Sequence, residues 1–344
     1  MERLAITIDY RVVTGAVAGV SCAGAPCWLR HGQRMRCPCA HRPRTSAPQS
    51  PDGGYKADRV PGSCSLGLVF SRGEWGMYDF MFHVPTKIYF GRGQISHLAE
   101  LSDFGQKALL VYGGGSIKRN GIYDEAIRIL THAGIEVVEL SGVEPNPRIE
   151  TVRRGVGLCA REGVDMVLAI GGGSTIDCAK VVAAGARYDG DPWDLVLDGS
   201  KAASALPIFS VLTLSATGSE MDAFAVISDM SKNEKWGTGA ECMKPTMSVL
   251  DPSYTFSVSP KQTAAGTADM MSHTFESYFS MDEGAYVQKR LAEGLLGTMI
   301  HFGPIALAHP DDYDARANLM WAASHAINGL VSDGCSPAWC VHPM

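Results

Sequence analysis

Short apolar runs alternate with helix-patterned segments through the middle of this chain, and two of the runs stop at the same four residues. "KALLVY" (107–112) ends in "GGGS", and so does "DMVLAI" (165–170). Between them lie a helical segment "YDEAIRILTHAG" (123–134), a strand-like "IEVVEL" (135–140) and a second helical segment "IETVRRGVGLCAREG" (149–163). "TKIYFG" (86–91) reads as an earlier strand, a helix follows the second GGGS through Ala184, and "PIFSVL" (207–212) is a later strand. Apolar runs without alternation suit strands buried on both faces, as in a parallel sheet covered by helices. From about residue 260 the strands stop, and "SPKQTAAGTADMMSHTFESYF", "YVQKRLAEGLLGTMIHFGPIAL" and "DARANLMWAASHAINGL" all carry helical period. The expectation is an α/β fold with a parallel sheet over 77–259, followed by an all-helical domain over 260–344.

Residues 1–76 differ from the rest. Nine arginines and one lysine stand against five acids, so this part carries +5 and the remainder −11 of the overall −6. "RCPCAHRPRTSAPQSPDGG" has no apolar period and is dense in turn formers, so it reads as disordered or as a non-native extension ahead of Met77. Cys37, Cys39 and His41 do not supply the four ligands of a zinc module. The acidic balance argues against nucleic acid and anionic membrane surfaces as partners, and no apolar run is read as long enough to cross a bilayer. Cysteines after residue 77 have no framework spacing, which suits a reducing cytoplasm. A chain beginning at Met77 is expected to melt as the full chain does and to bind cofactor equally well.

The glycine turns carry the first chemistry. Gly113, Gly114, Gly115 and Ser116 follow one buried strand, and Gly171, Gly172, Gly173 and Ser174 follow another. Glycine lets backbone approach a phosphate, and a helix starting there offers free N–H groups and a positive dipole end. One such turn is as readily a tight connection without ligand; two in one sheet favour phosphate binding. The pattern is neither G-x-G-x-x-G nor a P-loop. "LTLSATGSEMDAFAVISD" (212–229) adds hydroxyls at a strand end, suited to ribose and phosphate. In "TADMMSHTFESY" (267–278), Asp269 and His273 stand four apart on one helix face. By themselves they read either as a buried hydrogen-bonded pair or as two metal ligands.

Taken together, "FHVPTKIYFG", "YGGGSIK", "EPNP", "AIGGGSTIDCAK", "LTLSATGSEMD", "GTADMMSHTFE" and "VHPM" resemble the iron-dependent (group III) alcohol dehydrogenases, in their butanol dehydrogenase and NADPH-dependent aldehyde reductase branch. The resemblance runs from Met77 to the last residue. It implies a Rossmann-like cofactor domain and a helical metal domain, shared in outline with dehydroquinate synthase. It assigns the pyrophosphate to Gly171–Ser174, places Thr213, Thr217 and Lys235 along phosphates and ribose, sets Asp222 near the nicotinamide, and adds Asn146 and Asp177 to the cofactor site. Asp269, His273 and His342 match three metal ligands, for Fe(II) or Zn(II).

The implied reaction interconverts primary alcohols and aldehydes, with the metal as Lewis acid and a hydride exchanged with the nicotinamide. The family's catalytic His and a fourth ligand would fall beyond Met344. The resemblance therefore implies a C-terminally truncated chain that holds NADPH weakly and metal poorly and turns over little. Two rivals are a non-catalytic nucleotide-binding fragment and a dehydroquinate synthase-like lyase. The lyase would need basic groups that 266–281 lacks apart from His273. NADP(H) is expected over NAD(H), because the position where NAD-using relatives carry an Asp is Gly113, with Lys118 nearby. A homodimer through the strand of "HVPTKIYFG" is also expected.

Overall fold

The computed structural model describes residues 77–280 and 284–337. The expectations for residues 1–76 and for His342 concern residues outside that set. Six strands form one parallel sheet: β1 (Lys87–Phe90), β2 (Lys107–Tyr112), β3 (Glu136–Leu140), β4 (Met166–Gly171), β5 (Ile208–Leu212) and β8 (Met247–Leu250). Their order is β1-β8-β5-β4-β2-β3. β6 (Phe224–Asp229) and β7 (Glu234–Gly239) make a separate antiparallel hairpin.

Both faces of the sheet are buried, and the residue alternation decides which side each residue serves. Leu109, Val111, Val167 and Ala169 point to one layer, with α3 (Ile149–Glu162), α4 (Gly173–Gly185) and α5 (Pro192–Leu197). Ala108, Leu110, Tyr112, Leu168, Ile170 and Phe209 point to the other, against α2 (Ile122–His132) and the short helix Gln94–Asp103. A short α1 (Ser116–Arg119) leads into α2. Full burial of each Leu, Ile or Phe contributes about 1.5–3 kcal/mol, so these strands cannot expose either face.

Three helices follow the sheet: α6 (Pro260–Tyr278), α7 (Tyr286–Ala308) and α8 (Tyr313–Ile327). They share a core of Met270, Met299, Ala306, Leu319, Ala322 and Ala326. Ser259 caps α6 by accepting from Gln262 N at 3.3 Å, with Pro260 in the first turn, and Asp312 caps α8 by accepting from Ala315 N at 2.9 Å. Helix α7 corrects the reading that no apolar run could span a bilayer. It has 23 residues and a most apolar window of mean hydropathy 1.3, enough by length and composition. Its charges, Lys289, Arg290 and Glu293, cluster at one end and hide an otherwise apolar helix. In the fold, Ala292, Leu296, Met299, Gly303 and Ala306 on this helix are buried, and it packs between α6 and α8.

Buried polar groups bind these layers together. Lys180 on α4 is fully buried, and its Nζ donates to Asp222 Oδ1 at 2.7 Å and to the Phe224 carbonyl at 2.8 Å. Glu220, 1% exposed, accepts a hydrogen bond from Ser324 Oγ on α8. The Glu220 carbonyl receives the Ser248 hydroxyl from β8 at 2.7 Å, so this residue joins the sheet to the helices.

Burial raises Glu220 to about 7 from an ordinary 4.5. A carboxyl whose folded pKa is raised stabilises the fold in its protonated form. That stability is fully present below about 4.5 and is lost as pH climbs through about 7. The size is about 3 kcal/mol by linkage. Glu220→Gln keeps an acceptor for Ser324 and cannot ionise. Urea unfolding at pH 5 and pH 8 is expected to show a smaller loss across this range in Glu220→Gln than in the wild type. An unchanged difference between the two pH values contradicts the assignment.

Candidate functional site

The carboxyl ends of β4 and β5 lie side by side, and the segments leaving them are held together mainly by backbone. β4 ends at Gly171 and α4 begins at Gly173, so strand and helix are separated by a single residue. Thr213 N donates to the Gly171 carbonyl at 2.9 Å, which pins the segment after β5 against the turn. A Cβ on Gly173 would collide with the Thr217 hydroxyl, so only glycine allows this approach. Asn146 N donates to Ser174 Oγ at 3.3 Å, and Asn146 itself sits at φ 56. A left-handed non-glycine residue at such a point is a common mark of a functional loop. Gly171–Ser174, Asn146, Thr213 and Thr217, spread over 72 residues of sequence (146–217), are thus brought to one place.

That place offers the N–H groups of Gly173 and Ser174 at the start of α4, ahead of the first bonds to the Gly172 carbonyl, together with the positive end of the helix dipole. This is the chemistry of a phosphate site. The neighbouring turn at Gly113–Ser116 is also at a carboxyl strand end, and side chains built at Gly114 or Gly115 would meet nothing within 4 Å. The loop after β3 closes its flank, with Gly142 N donating to the Gly113 carbonyl at 3.3 Å and Val143 N to the Tyr112 carbonyl at 3.2 Å.

The acidic candidates are committed to the protein. Asp177 accepts from Ser219 Oγ at 2.6 Å and from Val226 N at 2.9 Å, and burial raises it to about 6. Asp222 holds Lys180 and also accepts from Phe224 N at 2.7 Å. Burial pushes Asp222 upward, against the pull of the lysine and the backbone bond. Both carboxylates hold the 217–226 segment onto α4, and sequence reasoning missed their partners Lys180 and Ser219. No local spacing announces these pairs, since Lys180 and Asp222, like Asp177 and Ser219, stand 42 residues apart in sequence.

Lys235 is exposed on β7, in register with Ser228 on β6. Ser228 N donates to the Pro147 carbonyl at 2.9 Å, so the hairpin abuts the stretch that follows Asn146. Helix α6 is seated against the segment after β5: a Cβ on Gly266 would lie 2.5 Å from the Ser215 carbonyl. Asp269 and His273 follow on the same helix face, with Asp269 half-buried and His273 buried. A carboxylate and an imidazole one turn apart suit Fe(II) or Zn(II). Among the described residues they stand as a pair, with no cluster of three or more His, Cys, Asp or Glu able to hold an ion.

Residues 85–252 match the family described as iron-containing alcohol dehydrogenase. The NADH-dependent butanol dehydrogenase A of Clostridium acetobutylicum is 61% identical over 269 residues, covering 78% of this chain and 69% of that protein. An NADPH-dependent aldehyde reductase of Escherichia coli is 43% identical over 269 residues, covering 77% and 69%. The crystal structure of an NADH-dependent butanol dehydrogenase A from Thermotoga maritima superposes with TM-score 0.76 at 44% identity, covering 78% of this chain and 68% of that one. The chain therefore belongs to the iron-containing alcohol dehydrogenase family, a family of alcohol and aldehyde oxidoreductases.

Proposed function

We propose that this chain interconverts primary alcohols, butanol among them, and their aldehydes, using NADP(H) in preference to NAD(H). The observation that carries the reading is the convergence of Gly171–Ser174, Asn146, Thr213 and Thr217 beside the helix bearing Asp269 and His273. In this reading the α4 N-terminus takes the pyrophosphate, and the open turn at Gly113–Ser116 takes the adenosine ribose. Thr213, Thr217 and Lys235 line phosphates and ribose. Asp177 and Asp222 act from behind, by fixing the segment that carries the threonines.

Asp269 and His273 would hold the Fe(II) or Zn(II), with His342 from outside the described residues. When bound, the metal supplies a Lewis acid for the substrate oxygen and the nicotinamide donates or accepts the hydride. The residues here bind and orient: α6, wedged against Ser215, sets its two donors one turn beyond the cofactor segment. Turnover accordingly follows metal occupancy. A protein that binds nucleotide without turnover would be the alternative reading, favoured by the pairing of only two donors among the described residues.

The preference for NADP(H) rests on the lack of a carboxylate in the Gly113–Ser116 turn, where NAD-binding folds commonly carry one. It is expected to be modest, since the relatives at 61% and 59% identity are named for NADH. A cytoplasmic location suits the buried thiols of Cys159 and Cys178. A homodimer is proposed through β1, which is an edge strand of the sheet among the described residues; Phe90 within it and Phe80, Met81 and Phe82 in the segment before it are exposed.

Fluorescence titration is expected to give tighter NADPH than NADH binding; equal or tighter NADH binding removes the preference. His273→Ala is expected to lower bound metal, measured by mass spectrometry, by at least about tenfold. It should also abolish butanal-dependent NADPH oxidation while cofactor affinity stays. Unchanged metal content would remove His273 from the ligand set. Sedimentation is expected to show a dimer, and a monodisperse monomer contradicts the β1 interface.

A further inference from the structure

Four side chains from four elements gather at the adenosine end of the proposed site, and none of them is one of the turn's glycines. Glu139 stands near the end of β3, level with Leu110 on the neighbouring β2. Its carboxylate accepts from the hydroxyl of Tyr112, from the hydroxyl of Tyr123 at 2.5 Å and from Lys118 Nζ at 3.3 Å. Tyr112 is the last residue of β2, immediately before Gly113, and Lys118 lies in α1, immediately after the turn. The lysine ammonium also lies over the rings of Tyr123 and Tyr112, at 4.2 and 5.0 Å from their centres. Lys118 and Arg119 are the cations of the turn's own helix, and of these Lys118 contacts one acidic and two aromatic partners.

The carboxylate remains ionised in this setting. Burial pushes Glu139 up, but the hydrogen bonds from Tyr112, Tyr123 and Lys118 outweigh it and leave the carboxyl below its ordinary range. Glu139 therefore presents a full negative charge beside Lys118, and the pair is close to neutral as seen from the turn. A 2′-phosphate, which brings about two negative charges to the ribose, gains little from a cation already paired. A 2′-hydroxyl is indifferent to it.

We infer that Glu139 sets the cofactor selectivity of this protein: it tethers Lys118 against Tyr112 and Tyr123, and so limits how strongly a 2′-phosphorylated nucleotide is preferred. This rests on the proposed placing of the adenosine ribose over Gly113–Ser116. Glu139 is a positioning residue acting through Lys118, since the lysine stem is flexible and half exposed. Released, its ammonium can swing toward the turn.

The test uses the full chain at low ionic strength, with 2′,5′-ADP and 5′-ADP as probes in calorimetric titration. Glu139→Gln keeps an acceptor for the two tyrosines and removes the charge. It is expected to raise the affinity ratio of 2′,5′-ADP over 5′-ADP about fivefold, the factor for roughly 1 kcal/mol at an exposed pair. The double variant Glu139→Gln with Lys118→Gln is expected to return the ratio to that of the wild type, because both charges are then gone. A purely structural role for Glu139 would move both probes together and leave the ratio unchanged, which overturns the inference. Gly114→Leu serves the underlying reading, since a side chain there would enter the proposed ribose space. It is expected to weaken both probes, and undiminished binding of both would overturn the ribose placement and the inference with it. Melting curves of every variant confirm that the ratio is read on folded protein.

Discussion

A buried ammonium group dictates the path of the chain around the proposed cofactor site. Removing an ammonium from water costs several kcal/mol unless a counter-charge and acceptors go with it. Lys180 is fully buried on α4, so Asp222 and the Phe224 carbonyl must follow it there. One turn earlier, Asp177 takes Ser219 and the Val226 N–H. Two ionisable residues on one helix face thus fix the segment between β5 and β6 at several points. That path is what returns Thr213 and Thr217 to the β4–α4 turn. Such a pair contributes little net stability against an apolar substitute, whereas loss of either partner would leave the other charge buried and uncompensated.

The parts legible in the sequence are those where one physical signal dominated. β2 and β4 are continuous apolar runs because both faces are covered, and the three late helices carry helical period. β8 was not read because "MSVL" is only four residues long and follows polar residues, although it sits between β1 and β5. The hairpin was not read either. β6 lay inside a segment taken for its hydroxyls, and β7, "EKWGTG", is exposed over much of its length and carries two glycines. Pairing with β6, which Ser228 in turn anchors to the Pro147 carbonyl, makes it a strand.

The same contrast runs through the site. Glycine turns after buried strands announce themselves, because backbone approach and helix dipoles are written in composition and order. Side chains that work through partners do not. Asp177 and Asp222 read as ligand contacts from their motifs, and only the fold reveals Ser219, Val226 and Lys180 behind them. Glu139 has no motif of its own, and its meaning comes from the two tyrosines and the lysine that β2, α1 and α2 bring to it.

This division has an energetic consequence. Pyrophosphate affinity would come from backbone N–H groups and an α4 dipole that are fixed by buried packing, since α4 is buried along nearly its whole length. Discrimination at the ribose would come from Lys118 and Glu139, each substantially exposed, in a region that solvent and salt reach. A core-fixed element is hard to alter without unfolding the sheet, whereas an exposed pair can be changed one charge at a time. On the proposed assignments, binding strength and cofactor choice would rest on physically separate parts of this fold. Such a separation would be compatible with relatives of one family being named for NADH in one case and NADPH in another.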